Sequence, residues 1–325
     1  MVGTFKLVAN DKDITRNIQD NLISLEFSDK IGVQSDEMSF IVNGIFSRPA
    51  FSDELKLSLG YIVNDKKELF ECGTFKISEC TIDYIAHTTE IRATAVDFSS
   101  SVKIKHSKTF ANTNLGAIAG VIANRNNLNA KVQNTAYNVK INHILQDNSS
   151  DIEFIYSLAY KHGFICAIKN NSLILTAKGS EMNGYKVIAA KKQGKNEDLP
   201  TFKLKISDCF ALSITENNRV KYDACEITSH NTNTATLTRI KVGDGNNIYK
   251  MKESANKSEA ELKSIATAKL SELNKGGVKG SLACAGQQIS AGGYLEIENI
   301  GIFSITSVNH TLNSGVYSIN VEFEA

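Results

Sequence analysis

Residues 146–164 read QDNSSDIEFIYSLAYKHGF. Ser149, Ser150, Asp151 and His162 are the residue types of a hydrolytic site, and they are also what a well-capped helix needs. Spacing separates the two readings. Ser150 as N-cap with Glu153 three positions on makes a capping box, and Asp151 in the first turn complements the positive end of the helix. Ile152, Ile155, Leu158 and Ala159 recur at three- and four-residue intervals and form one apolar stripe, which Phe154, Tyr156 and Tyr160 widen. His162 falls in the last turn, where a cation or donor is favoured, and Gly163 follows as the residue that ends the helix. On such a helix Ser150 and His162 stand about 18 Å apart at ~1.5 Å per residue, too far to act as nucleophile and base. Asp151 and Glu153 point to different faces, so they do not form a glycosidase pair. The stretch therefore predicts a structural helix.

Upstream, NTNLGAIAGVIANRNNL (112–128) places Leu115, Ile118, Ala119 and Ile122 at helical spacing, with Thr113 or Asn114 as the cap. Downstream, FICAIK and SLILTAK are joined by Asn170 and Asn171, residues that tolerate the positive φ of a tight hairpin. Residues 105–180 thus read as a small α+β unit of two helices and a hairpin. On either side the period changes to two. In 1–104 the segments NLISLEFSD, EMSFIVNG, ELKLSLGYIV, GTFKISECTID and TEIRATAVDF alternate apolar and polar residues between Gly, Asn, Asp and Pro breaks, as in an antiparallel sheet or barrel. Residues 181–325 return to this pattern. One helix interrupts it, with a Ser258/Glu261 capping box, Leu262, Ile265, Ala266 and Leu273 on its core face, and Gly276 and Gly277 as its stop. Gly243, Asp244 and Gly245 read as a hairpin loop; no helix start follows them, so they do not make a phosphate loop. The polar run KKQGKNEDLP (191–200) reads as a solvated loop near the second boundary.

The outer regions resemble each other. GTFKISECTIDY (73–84) aligns with GIFSITSVNHTL (301–312), matching Gly73, Phe75 and Ile77 to Gly301, Phe303 and Ile305. AVDF, ending at Phe98, then matches NVEF, ending at Phe323. The expectation is two related β domains flanking an α+β insert.

Composition excludes several classes. The 325 residues are 42% hydrophobic and 22% charged, with a formal net charge of +1. That describes a folded chain with no electrostatic signature of nucleic-acid or anionic-membrane binding. The longest apolar run, Gly116–Ala123, is far short of a membrane span. The N-terminus has no signal-peptide core, so synthesis in the cytoplasm is expected. The six cysteines, at 72, 80, 166, 209, 225 and 284, include no CxxC pair. Cys72, Cys80, Cys166 and Cys284 lie in apolar or alternating segments and are expected as buried free thiols. Among the six histidines there is no HxxxH, and no GxSxG, P-loop, dinucleotide fingerprint or calcium loop occurs. No catalytic, cofactor-binding or metal residue is assigned.

The ordered set of segments resembles the late control gene D proteins, the tail hubs of contractile phages, which are related to the N-terminal hub part of VgrG spike proteins. The resemblance rests on SDEMSFIV, ELKLSLGY, GTFKISECTID and EIRATAVDF, then on TNLGAIAGVIANRNNLNAKV and HILQDNSSDIEFIYSLAYKHGF. The last block is similar to the family's Q-x-x-E-S-D helix, with Ser149 in place of the usual acid. SVNHTLNSGVYSINVEFEA resembles its closing strand pair, with Gly315 and Tyr317 offset by Val316, and Phe110 stands where a Trp is more usual. The resemblance implies a mostly β, α+β fold: two tube-type antiparallel β-barrels (1–104 and 181–325) with an inserted α+β domain (105–180). It implies no enzyme activity and no cofactor. It further implies a homotrimer in the virion tail or an injection particle, adapting a six-fold tube to a three-fold spike. The implied partners are the tail tube, central spike, baseplate and tape measure proteins, with no specific nucleic-acid site and no membrane segment. The competing expectation is a tail-tip peptidoglycan hydrolase; a carbohydrate-binding β module is disfavoured by the absence of Trp.

Overall fold

The computed structural model describes residues 2–31, 35–51, 53–95, 104–169, 172–177, 199–217, 221–232, 235–274 and 277–325. The first region holds β1 (Val2–Ala9), β2 (Lys12–Asp13), α1 (Thr15–Gln19), β3 (Leu22–Lys30), β4 (Glu37–Asn43), β5 (Glu54–Val63), β6 (Lys66–Asp83) and β7 (Thr88–Thr94). The middle holds β8 (Lys105–Asn114), α2 (Leu115–Arg125), β9 (Asn129–Val132), β10 (Lys140–Ser150), α3 (Asp151–Lys161), β11 (Phe164–Lys169) and β12 (Ser172–Ala177). The last holds β13 (Thr201–Leu204), β14 (Cys209–Glu216), β15 (Ala224–Asn231), β16 (Thr236–Gly243), β17 (Ile248–Glu253), α4 (Glu259–Asn274), β18 (Val278–Ala285), β19 (Tyr294–Ile297), β20 (Gly301–Asn313) and β21 (Val316–Glu324). The fold is mostly β, as expected. The Asn170–Asn171 turn, Gly276, residues 96–98 and residues 191–198 lie outside the described residues; Phe323, opposite Ile305, corresponds to Ala93, opposite Ile77, so NVEF does not match AVDF as expected.

The two outer regions share a single sheet. Its strands run β14-β18-β21-β20-β3-β4-β7-β6-β5-β1-β2, and the two regions meet where β3 pairs antiparallel with β20, Ser28 opposite Asn309 and Phe27 opposite His310. Alternation does the rest. Leu25, Phe27, Met38, Phe40, Phe75, Ile77, Phe303, Ile305, Val308, Val321 and Phe323 all turn to one side and form one apolar core. Inside it Phe27 stacks on His310 at 5.3 Å and meets Phe75 edge-on at 5.8 Å.

The internal repeat extends to backbone detail. On β6 the register skips Ser78 between Ile77 and Glu79; on β20 it skips Thr306 between Ile305 and Ser307, the aligned position. On β3 it skips Ile23, and on β14 it skips Phe210. Tracing the pairings outward from the aligned glycines matches β3-β4-β7-β6 to β14-β18-β21-β20, with Leu25 equivalent to Leu212, Glu26 to Ser213 and Ser28 to Thr215. Bulges are built features of a strand, so two coincident pairs mark a duplicated four-strand block.

Two other layers attach to the sheet. In the middle region α2 and α3 pack on β9, β11 and β12 around Ile118, Ile122, Ile155 and Leu175. In the last region β15–β17 leave the large sheet and form their own, which α4 covers through Leu262, Ile265 and Ala266. Gly243, Asp244 and Gly245 are accordingly not a hairpin loop. They carry the chain across the end of β15, because β16 and β17 flank that strand on opposite sides. The buried cysteines are Cys166, Cys225 and Cys284, whereas Cys72 and Cys80 are only half-buried. Cys80 falls short of burial because β5 does not extend beside that part of β6.

Phe75 (1% exposed) and Phe303 (3% exposed) occupy equivalent positions in the same core. Phe75→Ala and Phe303→Ala should each cost about 3–5 kcal/mol in urea denaturation. A loss below ~1 kcal/mol at either site would show that the two blocks do not share one core.

Candidate functional site

The opening helix is α3, and its termini are structural. The Ser150 hydroxyl accepts the Glu153 amide at 3.2 Å, and Gly163 has φ +77°. Asn114 caps α2 by accepting from the Ala117 amide at 2.8 Å. The sequence reading missed the role of Asp151. Its carboxylate is fully buried and accepts from Arg125 Nη1 (2.7 Å), Asn126 Nδ2 (2.9 Å) and Gln146 Nε2 (2.9 Å). One carboxylate thus ties the end of α2, the bulged part of β10 and the start of α3. The available signal was the pair Arg125–Asn126 at the end of the first helix. His162 also departs from expectation. It is buried against α4, with Nδ1 3.4 Å from Ser264 Oγ. Burial, with the Lys161 and Lys257 charges nearby, lowers its pKa to about 4, so it is neutral and is no cation at the helix end. Ser150 and His162 stand at opposite ends of α3, which leaves no nucleophile–base pair.

A cavity of about 560 Å³ lies between the sheet and the α+β insert, walled by Phe27, Phe70, Ile174 and Ile289. Its charged floor is Asp29, Asp36 and Lys169. Lys169 bonds to Asp29 and lies 3.4 Å from Asp36. Asp29 Oδ2 accepts the Ala291 amide at 2.8 Å, and Asp36 Oδ1 the Lys30 amide at 3.0 Å. Burial opposes the charge on Lys169, but the two carboxylates hold its pKa above the ordinary value. Burial and the neighbouring Asp29 push Asp36 up to about 6, against the pull of Lys169. The cluster joins β3, β11 and the 286–293 loop. Its charged atoms answer one another, so it works as a clamp between the insert and the sheet. Among the described residues no group of three His, Cys, Asp or Glu is placed to hold a metal ion.

The second candidate is a surface. The side of the large sheet facing away from the core carries polar and charged side chains from β14 to β6. One row runs Glu26–Ser39–Arg92–Glu79, and another Ser307–Glu322–Ser281–Ser213. Ser28 Oγ donates to Asn309 Oδ1 at 2.6 Å across the junction of the blocks, and Arg92 is held by Glu90 at 2.6 Å. These rows hold no aromatic ring. Eight strands at ~4.8 Å each make a face about 35–40 Å wide. Among the described residues no helix is long and apolar enough to cross a membrane.

The fold defines a class. The structure is similar to that of a tail protein from Neisseria meningitidis MC58, with a TM-score of 0.70 at 9% identity over 100% of this chain and 97% of that one. It is also similar to a chain of the Francisella PdpA–VgrG complex, with a TM-score of 0.54 at 11% identity over 99% of this chain and 58% of that one. These likenesses show that the chain shares its fold with a tail protein and with a chain of a PdpA–VgrG complex. In sequence the chain is a homologue of two proteins named "Probable baseplate hub protein". It is 29% identical to that of Escherichia phage 186 over 185 residues and 30% identical to that of Escherichia phage P2 over 179 residues. The matches cover 56% and 54% of this chain, and 47% and 45% of those proteins, about half their length. No family model matches the chain.

Ser150→Ala should cost about 1 kcal/mol through the lost cap. Asp151→Ala should cost more, about 3 kcal/mol, by stranding Arg125, Asn126 and Gln146. Chemical denaturation ranks the two, and the reverse order would remove Asp151 from the centre of the insert. The pH dependence has opposed parts. His162 and His310 have folded pKa values lowered to about 4, chiefly by burial. Their contribution is present above pH ~6.5 and lost as pH falls through about 4, on the order of 3 kcal/mol each. Asp36 is raised, so protonation favours the fold at low pH and that contribution is lost as pH rises through about 6. Stability should therefore fall as pH drops from ~6.5 toward about 4, with Asp36 partly offsetting the loss, and His162→Gln should flatten that limb; an unchanged slope would contradict the neutral, buried His162.

Proposed function

We propose that this chain is a structural hub of a contractile-tail baseplate. It assembles as a homotrimeric ring that adapts a six-fold tail tube to a three-fold spike. The observation that carries this reading is the duplicated four-strand block, taken with the kinship to named baseplate hub proteins. Three copies of a chain with two equivalent blocks present six similar units, which is what a six-fold tube requires of a three-fold adaptor. Each block with its attached elements is one tube-like domain, 1–104 and 181–325, and the α+β unit 105–180 is an insert held outside the ring by the Asp29–Lys169–Asp36 clamp. The polar and charged face lines the channel, since passing cargo must slide without sticking. Tube, spike and neighbouring baseplate proteins are its partners, the tail baseplate is its location, and it turns over no substrate.

Electron microscopy of the purified chain, or of its particle, should show three-fold rings with pseudo-six-fold inner density. A two-fold dimer, or a particle in which the chain lies off the tail axis, would overturn the reading. So would peptidoglycan release by the purified protein that a single Asp or Glu substitution abolishes.

A further inference from the structure

Cys209 opens β14, Cys284 lies near the end of β18, and the two are directly opposed across that antiparallel pair. Both side chains pack on the core side of the sheet. Cys284 is fully buried, and Cys209 is half-buried where β14 forms the edge of the sheet. Opposed residues in an antiparallel ladder have Cα atoms ~4.5 or ~5.5 Å apart, and either spacing lies within disulfide reach. Both thiols are free, and Cys209 Sγ donates to the Lys205 carbonyl at 3.5 Å, a weak contact to give up. Among the described residues no other two cysteines are opposed: Cys80 faces Ile91, Cys166 faces Leu175, and Cys225 faces Val242 and Tyr249.

The repeat shows that packing does not call for cysteine at this place. In the first block the equivalent positions hold Leu22 opposite Val42, beside the equivalent bulge. Leu22 is half-buried and Val42 fully buried, as Cys209 and Cys284 are. An apolar pair therefore fills the space, yet in the second block both halves of the pair are sulfur.

We propose that Cys209 and Cys284 form a redox-active dithiol whose reactant is a small external disulfide of the glutathione class. This goes beyond the hub reading and does not depend on it. Access sets the order of events. Cys209 is the thiol that such a reagent reaches, and Cys284 reacts only from within. Burial, with Asp208 nearby, raises the pKa of both thiols, Cys284 to about 11, so both are protonated at neutral pH. Cys209 Sγ loses its proton to water and attacks one sulfur of the external disulfide; that S–S bond breaks and one small thiol leaves, taking up a proton. Cys284 Sγ then loses its proton, attacks the Cys209 sulfur of the mixed disulfide and expels the second small thiol. The protein gives up two hydrogens and two electrons, and the reagent gains both. The new bond joins the strand that leads into β15–β17 to the strand that follows α4, so it closes residues 209–284 into a loop holding that whole layer. A reducing cytoplasm keeps the pair as thiols, and the bond forms where the protein leaves it.

The test incubates the full folded chain with oxidised glutathione, alkylates the remaining thiols in denaturant and maps the non-reduced tryptic peptides. The expected product joins residues 206–219 to residues 280–325 and leaves two fewer cysteines to alkylate. Cys284→Ala should instead hold glutathione on Cys209, and Cys209→Ser should leave Cys284 unmodified. Circular dichroism reports whether each variant folds, and Cys284→Val, the residue of the equivalent position, replaces the alanine variant should that one fold poorly. Cross-linking constrains the unfolded chain, so the oxidised protein should melt at a higher temperature and return to the original midpoint with dithiothreitol. Glutathione retained on Cys209 of the unsubstituted chain, a Cys209 that stays unmodified, or a bond from either residue to a third cysteine overturns the inference. The linked peptide without a rise in melting temperature overturns the tethering of the layer.

Discussion

The antiparallel junction between β3 and β20 is the constraint on which the rest depends. It joins segments almost the whole chain apart, since Ser28 and Asn309 are 281 residues distant in sequence and 2.6 Å distant in space. Without it the chain would hold two four-strand blocks, each with an open core flank and a raw edge. With it, the apolar sides of both blocks merge into one core and their polar sides into one face. A register slip of one residue would turn Phe27 outward and Ser28 inward, so the alternation on both strands enforces the pairing that the hydrogen bonds complete.

The same logic explains how the middle region is held. Its own core closes on α2 and α3, and Asp151 sets the angle between them by collecting three donors from three elements. Its attachment to the sheet is ionic rather than apolar. Lys169 enters between Asp29 and Asp36, and burial makes that arrangement specific: each charge is costly alone and tolerable only with its partners. The polar residues that first suggest chemistry therefore serve as geometric fixtures. His162 is a neutral ring against α4, Ser150 a cap, and Asp151 a hub for donors.

Duplication is the link from fold to function. Retained bulges at Ile23 and Phe210, and at Ser78 and Thr306, keep the curvature of both blocks alike, which a ring of equivalent units requires. The attached elements differ: β15–β17 with α4 belong to the second block only. The polar face of the sheet is thus repeated, while the elements attached to each block differ.

Much of this was legible in the sequence because it depends on local pattern. Period-two alternation marked most strands of the large sheet, 3.6-residue spacing and N-cap residues marked α2, α3 and α4, and the Gly-x-Phe-x-Ile match exposed the repeat. Local rules misjudged residues whose surroundings come from elsewhere in the chain. Asp151 read as a complement to the helix end, yet Arg125, Asn126 and Gln146 bury it. His162 read as a favourable cation or donor, yet α4 packs over it and keeps it neutral, which removes the cation. Gly243–Gly245 read as a hairpin loop, yet β15 lies between the two strands it connects. The sequence by itself determined most strands of the large sheet, the three long helices and which side of each is apolar, because those properties are set within a few residues; it did not mark α1 or the strands β8, β9 and β10 that flank the helices of the insert. Only the tertiary structure decided which strands meet, which edges stay open and which charges are buried together. Those outcomes depend on contacts between residues up to 281 positions apart, which no local spacing encodes.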